Sequence, residues 1–160
     1  MCGIAGIMYR GGGQSFDTGE ALIQMLDGCQ HRGPDSTGFA LYGAAQPGQL
    51  KLRFFLDNEQ ETEEMIQTIR GRLSELGAVI KEEAQVADNY RVTVAYKDDV
   101  QKLAYEMEHT AKVISIGSSL EIVKDVGSAH DVDDRYDVHN FRGTHGLGHV
   151  RLATESDVKP

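Results

Sequence analysis

The second residue of the chain is a cysteine, and its position could make it a nucleophile. Cys2 directly follows Met1 and is small enough for ordinary removal of that methionine. Removal would leave one residue with both a thiol and a free α-amine. Because an α-amine has a reference pKa of about 7.7–8.0, it can accept the thiol proton near neutrality without a separate histidine. The structural alternative is a small apolar residue that opens a buried strand.

Two further stretches carry charged side chains that could bind a ligand or brace a loop. Arg32 and Asp35 flank a Gly-Pro turn, where they could simply pair and tie the turn down. Arg151 lies in a run that is typical of a strand, and its planar guanidinium can hold a carboxylate through two hydrogen bonds. A carboxylate is therefore the ligand group that we expect at Arg151.

The histidines near the end of the chain do not form a metal-binding pattern. His145 and His149 are four residues apart, and on a strand this spacing puts them on one face about 13 Å apart. That distance is too long for one tetrahedral ion to bind both rings. We therefore predict no metal site and no other cofactor.

Composition excludes several classes of protein. The 160 residues carry a net charge of −9, which disfavours binding to nucleic acid because that binding depends largely on Lys and Arg. No apolar run is long enough to span a membrane, and the N-terminus lacks the pattern of a signal peptide. A cytoplasmic protein without nucleic-acid or membrane partners is expected.

Three motifs resemble those of class II glutamine amidotransferases, which belong to the N-terminal-nucleophile hydrolases. They are Met-Cys-Gly-Ile-Ala-Gly at residues 1–6, His-Arg-Gly-Pro-Asp-Ser-Thr-Gly at residues 31–38, and Arg-x-Ala-Thr within residues 148–156. The chain is also similar to amidotransferase subunits of glutamate-synthase-like and N-methylglutamate-synthase-like enzymes. The resemblance covers roughly the first fifty and the last two dozen residues.

This resemblance implies a role for each candidate residue. Cys2 would attack the side-chain amide of glutamine, and its α-amine would relay the proton to the leaving ammonia. Arg32 would brace the N-terminal residue, while Asp35 would fix its loop. Arg151 and Thr154 would anchor the amino-acid end of glutamine. The ammonia would pass to a synthase partner, so a hetero-oligomer is expected.

The flanking patterns predict the elements that must position these residues. Residues 3–7 are typical of a short buried strand. Residues 17–29 are typical of a helix that begins with a capping box and faces the core through Leu22, Met25 and Leu26. We therefore expect Cys2 to lie on a rigid edge beside a short buried strand, and the helix to face the core.

The middle of the chain predicts a separate folding pattern. Residues 51–117 follow the order β-α-β-β-α-β of a ferredoxin-like unit and carry no catalytic motif. We interpret them as an insertion between the first part of an amidotransferase domain, residues 1–50, and its connection and return strand, residues 118–160. The fold class is α+β, and the resemblance implies part of a four-layer αββα N-terminal-nucleophile hydrolase fold.

One feature departs from the family pattern. Class II amidotransferases use an Asn-Gly pair as oxyanion donors and an Asp that binds the substrate amine, both downstream of Arg-x-Ala-Thr. The asparagines of this chain precede Glu59, Tyr90 and Phe141, so we expect those groups to come from elsewhere. Two alternatives stay open: a non-catalytic assembly or regulatory module, and an N-terminal-nucleophile hydrolase that acts on another amide.

Overall fold

The computed structural model describes residues 2–10, 16–56 and 61–153. These residues have a mixed α+β fold with two four-stranded antiparallel sheets and four α-helices. The strands are β1 (Gly3–Met8), β2 (Ser36–Tyr42), β3 (Gln49–Phe55), β4 (Val79–Val86), β5 (Asn89–Ala95), β6 (Lys112–Gly117), β7 (Leu120–Val126) and β8 (His145–Arg151). The helices are α1 (Thr18–Asp27), α2 (Thr62–Glu75), α3 (Val100–Glu108) and α4 (Ala129–Tyr136). No helix in these described ranges combines the length and apolar character needed to cross a membrane.

The chain divides into two compact units. The described residues of Ala45–Glu121 form one unit, and those on either side of this range form the other. The candidate nucleophile and the other described site residues all belong to the unit formed by the two ends of the chain.

The sheet of this first unit has the strand order β1-β8-β2-β7. One of its faces packs against α1 because β8 has glycines where the helix approaches. A Cβ at Gly148 would lie 2.7 Å from Leu26, and one at Gly146 would lie 2.8 Å from Leu22. The small residues therefore allow two fully buried leucines to sit directly on the strand.

Helix α1 forms where the sequence predicts it, but two details of the prediction were wrong. The buried face consists of Leu22, Ile23 and Leu26, while Met25 is 42% exposed. No capping box forms, since the side chain of Asp17 accepts no capping hydrogen bond and pairs with Arg142 instead. An ion pair with a residue outside the helix, Arg142, therefore stabilises the start of α1.

The opposite face of the first sheet is open. Ile4 and Met8 on β1 are both 75% exposed, and Leu147 on β8 is 52% exposed. These side chains alternate with residues that point towards α1, as expected for a strand with one covered face. An apolar sheet face therefore remains accessible in this unit.

The second unit contains the predicted order β-α-β-β-α-β, and its sheet has the strand order β4-β5-β3-β6. Its core forms where apolar side chains of the sheet, such as Leu52 and Val92, meet Ile69 of α2 and Leu103 of α3. Helix α2 ends before Gly77, which has a φ of +80°. Glycine adopts this left-handed conformation without steric cost, which suits the position just after the end of a helix.

The carboxylate of Glu121 in this unit lies close to three cationic side chains. Glu121 is 8% exposed and accepts hydrogen bonds from Lys51 Nζ at 2.9 Å and Arg53 Nη2 at 3.3 Å, and Arg91 Nη1 lies 3.8 Å away. Burial alone would raise the pKa of Glu121, but Lys51, Arg53 and Arg91 together lower it below its ordinary value.

Replacing Glu121 by glutamine is expected to lower the free energy of unfolding by about 1–3 kcal/mol at pH 7, because buried Arg53 loses a charged acceptor. Since the folded-state pKa is lowered, the contribution of Glu121 is present above its unfolded pKa and disappears as pH falls through the folded value. Urea denaturation at pH 7 and in acid measures this difference. The exposed Glu82→Gln is the control, and equal effects of both variants would contradict the prediction.

Candidate functional site

Cys2 lies at one end of the first sheet. It is exposed and directly precedes β1, whose first residue Gly3 pairs with Val150 of β8. The next residue on β8 is Arg151, which pairs with Ser36 of β2 on its other side. The register therefore places the thiol and the guanidinium at the same end of neighbouring strands.

The turn after α1 reaches the beginning of β1. A Cβ at Gly3 would lie 2.9 Å from Cys29 Sγ, so a side chain at this position would crowd the end of the turn. Arg32 closes a short 3-10 helix (Gln30–Arg32), and its backbone N–H donates to the carbonyl of Cys29 at 2.9 Å. The structure thus brings the Arg32 turn close to the strand that starts after Cys2.

The same turn also lies directly against the backbone of β8 through Gly33. A Cβ at Gly33 would lie 2.4 Å from the carbonyl carbon of Val150 and 2.5 Å from the backbone nitrogen of Arg151. Glycine is required here for close approach, because the atoms in the way belong to the backbone. The position of the turn therefore depends directly on the position of Arg151.

Asp35 fixes the segment that follows β8. Its backbone N–H donates to the carbonyl of Arg151 at 3.1 Å, and its carboxylate accepts from the backbone N–H of Ala153 at 2.7 Å. Its own carbonyl accepts from Gly127 at 3.0 Å. Asp35 thus joins three segments of the first unit. Thr154, the other predicted anchor, lies outside the described residues.

A cavity of about 460 Å³ lies on the open face of the first sheet. Arg151, His149 and Lys124 provide polar groups, and Ile4 and Leu147 are among its apolar lining residues. The lining thus combines the cations Arg151 and Lys124, the carboxylate of Asp125 and an apolar surface, groups that could bind a small ligand with both polar and aliphatic parts. Lys124 belongs to none of the three sequence motifs, although alternation along β7 puts it on this face.

The two histidines of β8 have different surroundings. The ring of His145 stacks on Tyr42 with a centroid distance of 4.2 Å, whereas His149 borders the cavity. Within the described ranges, no three His, Cys, Asp or Glu side chains come together in a way that could hold a metal ion.

Two known proteins are similar to almost the whole chain. One is a protein of Methanothermobacter thermautotrophicus whose provisional name is glutamine amidotransferase, 33% identical over 165 residues. The other is the glutamine amidotransferase-like protein GlxB of Rhizobium meliloti, 35% identical over 167 residues. Each alignment covers 99% of this chain but only 54% and 52% of the respective relative, so the chain spans about half the length of these curated relatives. No family model matches the chain. The names of both relatives contain the words glutamine amidotransferase.

Proposed function

We propose that this chain forms the nucleophile-bearing part of a class II glutamine amidotransferase. The observation that carries the proposal is the register that puts Cys2 beside Arg151 at one end of the sheet. The similarity to proteins named as glutamine amidotransferases supports glutamine as the substrate. Thr154 completes the proposed anchor with Arg151.

The proposed reaction follows from the groups on Cys2. After loss of Met1, the α-amine takes the thiol proton, and the thiolate attacks the carbonyl carbon of the glutamine side chain. The tetrahedral species expels ammonia, which receives the proton from the α-ammonium group. Water then attacks the γ-glutamyl thioester, and glutamate leaves with the regenerated thiol. No cofactor is needed for either step.

Arg151 and Asp35 have separate roles in this proposal. Arg151 holds the α-carboxylate of glutamine, since a guanidinium can donate two parallel hydrogen bonds to it. Asp35 keeps the end of β8 in place because its backbone N–H donates to the carbonyl of Arg151 and its carboxylate accepts from the backbone N–H of Ala153. Arg32 braces the N-terminal residue from the adjoining turn.

The wider architecture is also a proposal. We infer that the first unit contributes one sheet and one helical layer to a four-layer αββα fold, and that a second sheet covers the exposed side chains of Ile4, Met8 and Leu147. The unit Ala45–Glu121 is then a ferredoxin-like insertion. Its strand order β4-β5-β3-β6 supports this assignment.

Ammonia is proposed to pass to a synthase subunit in a hetero-oligomer. In free solution ammonia would largely become ammonium, which is a poor nucleophile, so a sheltered route to the acceptor is chemically favourable. The acceptor reaction belongs to the partner.

Calorimetric titration with glutamine and glutamate, together with the mass of the N-terminus, tests the proposed function. The complete protein as purified should bind glutamine, hydrolyse it to glutamate and ammonia, and begin at Cys2. Retention of Met1 with no glutamine binding would support a non-catalytic module instead. Turnover of a different amide in the absence of glutamine turnover would assign another N-terminal-nucleophile hydrolase.

Arg151→Lys is expected to raise the KM for glutamine by about tenfold or more, because an ammonium group cannot reproduce the two-pronged grip on a carboxylate. The measurement is steady-state glutaminase activity in the complete protein. Arg142→Lys, which changes an ion pair with Asp17 in the same unit, is the matched control. An unchanged KM in Arg151→Lys would make Arg151 a structural residue.

A further inference from the structure

Gln30 connects two segments that are distant in sequence. It begins the 3-10 helix after α1 and is half-buried. Its side-chain Nε2 donates to the carbonyl of Gly33 at 2.8 Å. Its Oε1 accepts from the backbone N–H of Ala129 at 2.9 Å. The single amide group therefore joins the site loop to the first residue of α4.

The start of α4 is a firm support for this connection. Ser128 and Asp131 form a capping box at its N-terminus, and the carbonyl of Gly127 accepts from the hydroxyl of Thr37 on β2 at 2.8 Å. The segment before α4 is thus held both by its own cap and by the sheet. A side chain that is hydrogen-bonded to Ala129 is therefore held in a fixed position relative to β2 and α4.

Gly33 links the position of Gln30 to that of Arg151, the proposed substrate anchor. Because Gly33 lies against the backbone of Val150 and Arg151 without room for a Cβ, a displacement of Gly33 must displace the end of β8 or open a gap beside it. The path from Ala129 to Arg151 thus runs through the amide of Gln30 and then through direct backbone contact.

We propose that Gln30 is a positioning residue that sets the location of Arg151, an inference that rests on the proposed glutamine-binding role of Arg151. An amide is suited to this position because it supplies one donor and one acceptor at once. A carboxylate keeps the acceptor for Ala129 and loses the donor for Gly33, and an aliphatic side chain loses both.

Gln30→Leu and Gln30→Glu test the proposal in the complete protein. Gln30→Glu should raise the KM for glutamine by about threefold to tenfold, the effect of losing one ordinary hydrogen bond, and Gln30→Leu should raise it at least as much because it loses both bonds. In each variant kcat should change less than about twofold. Gln30→Glu should keep its melting temperature, since a carboxylate at the start of α4 is favourable. Gln24→Leu, which alters an exposed amide on α1, is the control and should leave KM unchanged.

Amide hydrogen exchange gives a second readout that does not depend on turnover. In Gln30→Glu, exchange of the Asp35 amide, which is bonded to the Arg151 carbonyl, should become faster, while the Ala129 amide stays protected. Unchanged KM and unchanged Asp35 exchange in both Gln30 variants would overturn the proposal, as would an equal rise of KM in Gln24→Leu. A wild-type protein that turns over no glutamine would contradict the proposed function, and the exchange measurement would still decide whether Gln30 holds the loop.

Discussion

Replacing Cys2 by serine is expected to reduce glutamine hydrolysis at least about a hundredfold, since loss of an active nucleophile can cost an enzyme up to about a millionfold in kcat. A thiol is partly ionised at neutral pH and intrinsically nucleophilic, whereas a serine hydroxyl needs a strong base beside it. Ammonia-dependent synthesis by the proposed synthase partner should continue, because added ammonia bypasses the step proposed for Cys2.

The other cysteine of the chain provides a matched control. Cys29 is partly buried, and its Sγ lies 3.8 Å from the carbonyl of Met25. Cys29→Ser should retain glutaminase activity, and an alkylating analogue of glutamine should label Cys2 while sparing Cys29. Full activity of Cys2→Ser, or equal labelling of the two thiols, would show that Cys2 is not the nucleophile.

Local sequence patterns predicted the elements whose buried faces follow from the spacing of their own apolar residues. Helix α2 buries Ile66, Ile69 and Leu73, which recur at helical spacing, and β5 (Asn89–Ala95) follows the alternation of apolar residues in the sequence. Apolar periodicity predicts the buried face correctly in these cases, because each element buries one face in the same hydrophobic core. The error at Met25 arose where the covered face was defined by β8, more than a hundred residues away.

The contacts of the candidate site are mostly non-local, and a single sequence does not contain them in readable form. The bond between Asp35 and Ala153 joins residues 118 positions apart, and that between Gln30 and Ala129 spans 99 positions. The sequence could nominate Asp35 through its motif. Nothing in the sequence pattern singled out Gln30, because its two backbone partners come together only in the folded protein.

Glycines show the same division between local and non-local causes. Gly77 could be predicted as a helix stop because its conformation follows from the end of α2. Gly33 appeared as part of a turn, yet its φ of −157° is ordinary extended backbone. Its requirement for glycine comes from the backbone of β8, which the turn approaches only in the folded protein.

Gly33→Ala is therefore expected to have a large effect on the proposed activity. Its Cβ would lie about 2.4–2.5 Å from backbone atoms of Val150 and Arg151, closer than any real contact of this kind, so either the turn or the end of β8 must move. A displacement of about 1 Å at a substrate-positioning residue can lower the rate about a hundredfold. We expect a loss of kcat/KM of that order for glutamine in the complete protein.

Gly28→Ala distinguishes a steric effect at β8 from a general effect of alanine in this part of the chain. A Cβ at Gly28 would lie 3.4 Å from the carbonyl of Met25, an ordinary contact, and its φ of −61° suits alanine. Circular dichroism and a thermal melt of both variants establish whether each one folds. If Gly33→Ala folds and retains the same kcat/KM as Gly28→Ala, the turn does not set the position of Arg151. A folded Gly33→Ala with a weakened response to glutamine and an intact Cys2 thiol would instead place the defect at the substrate anchor.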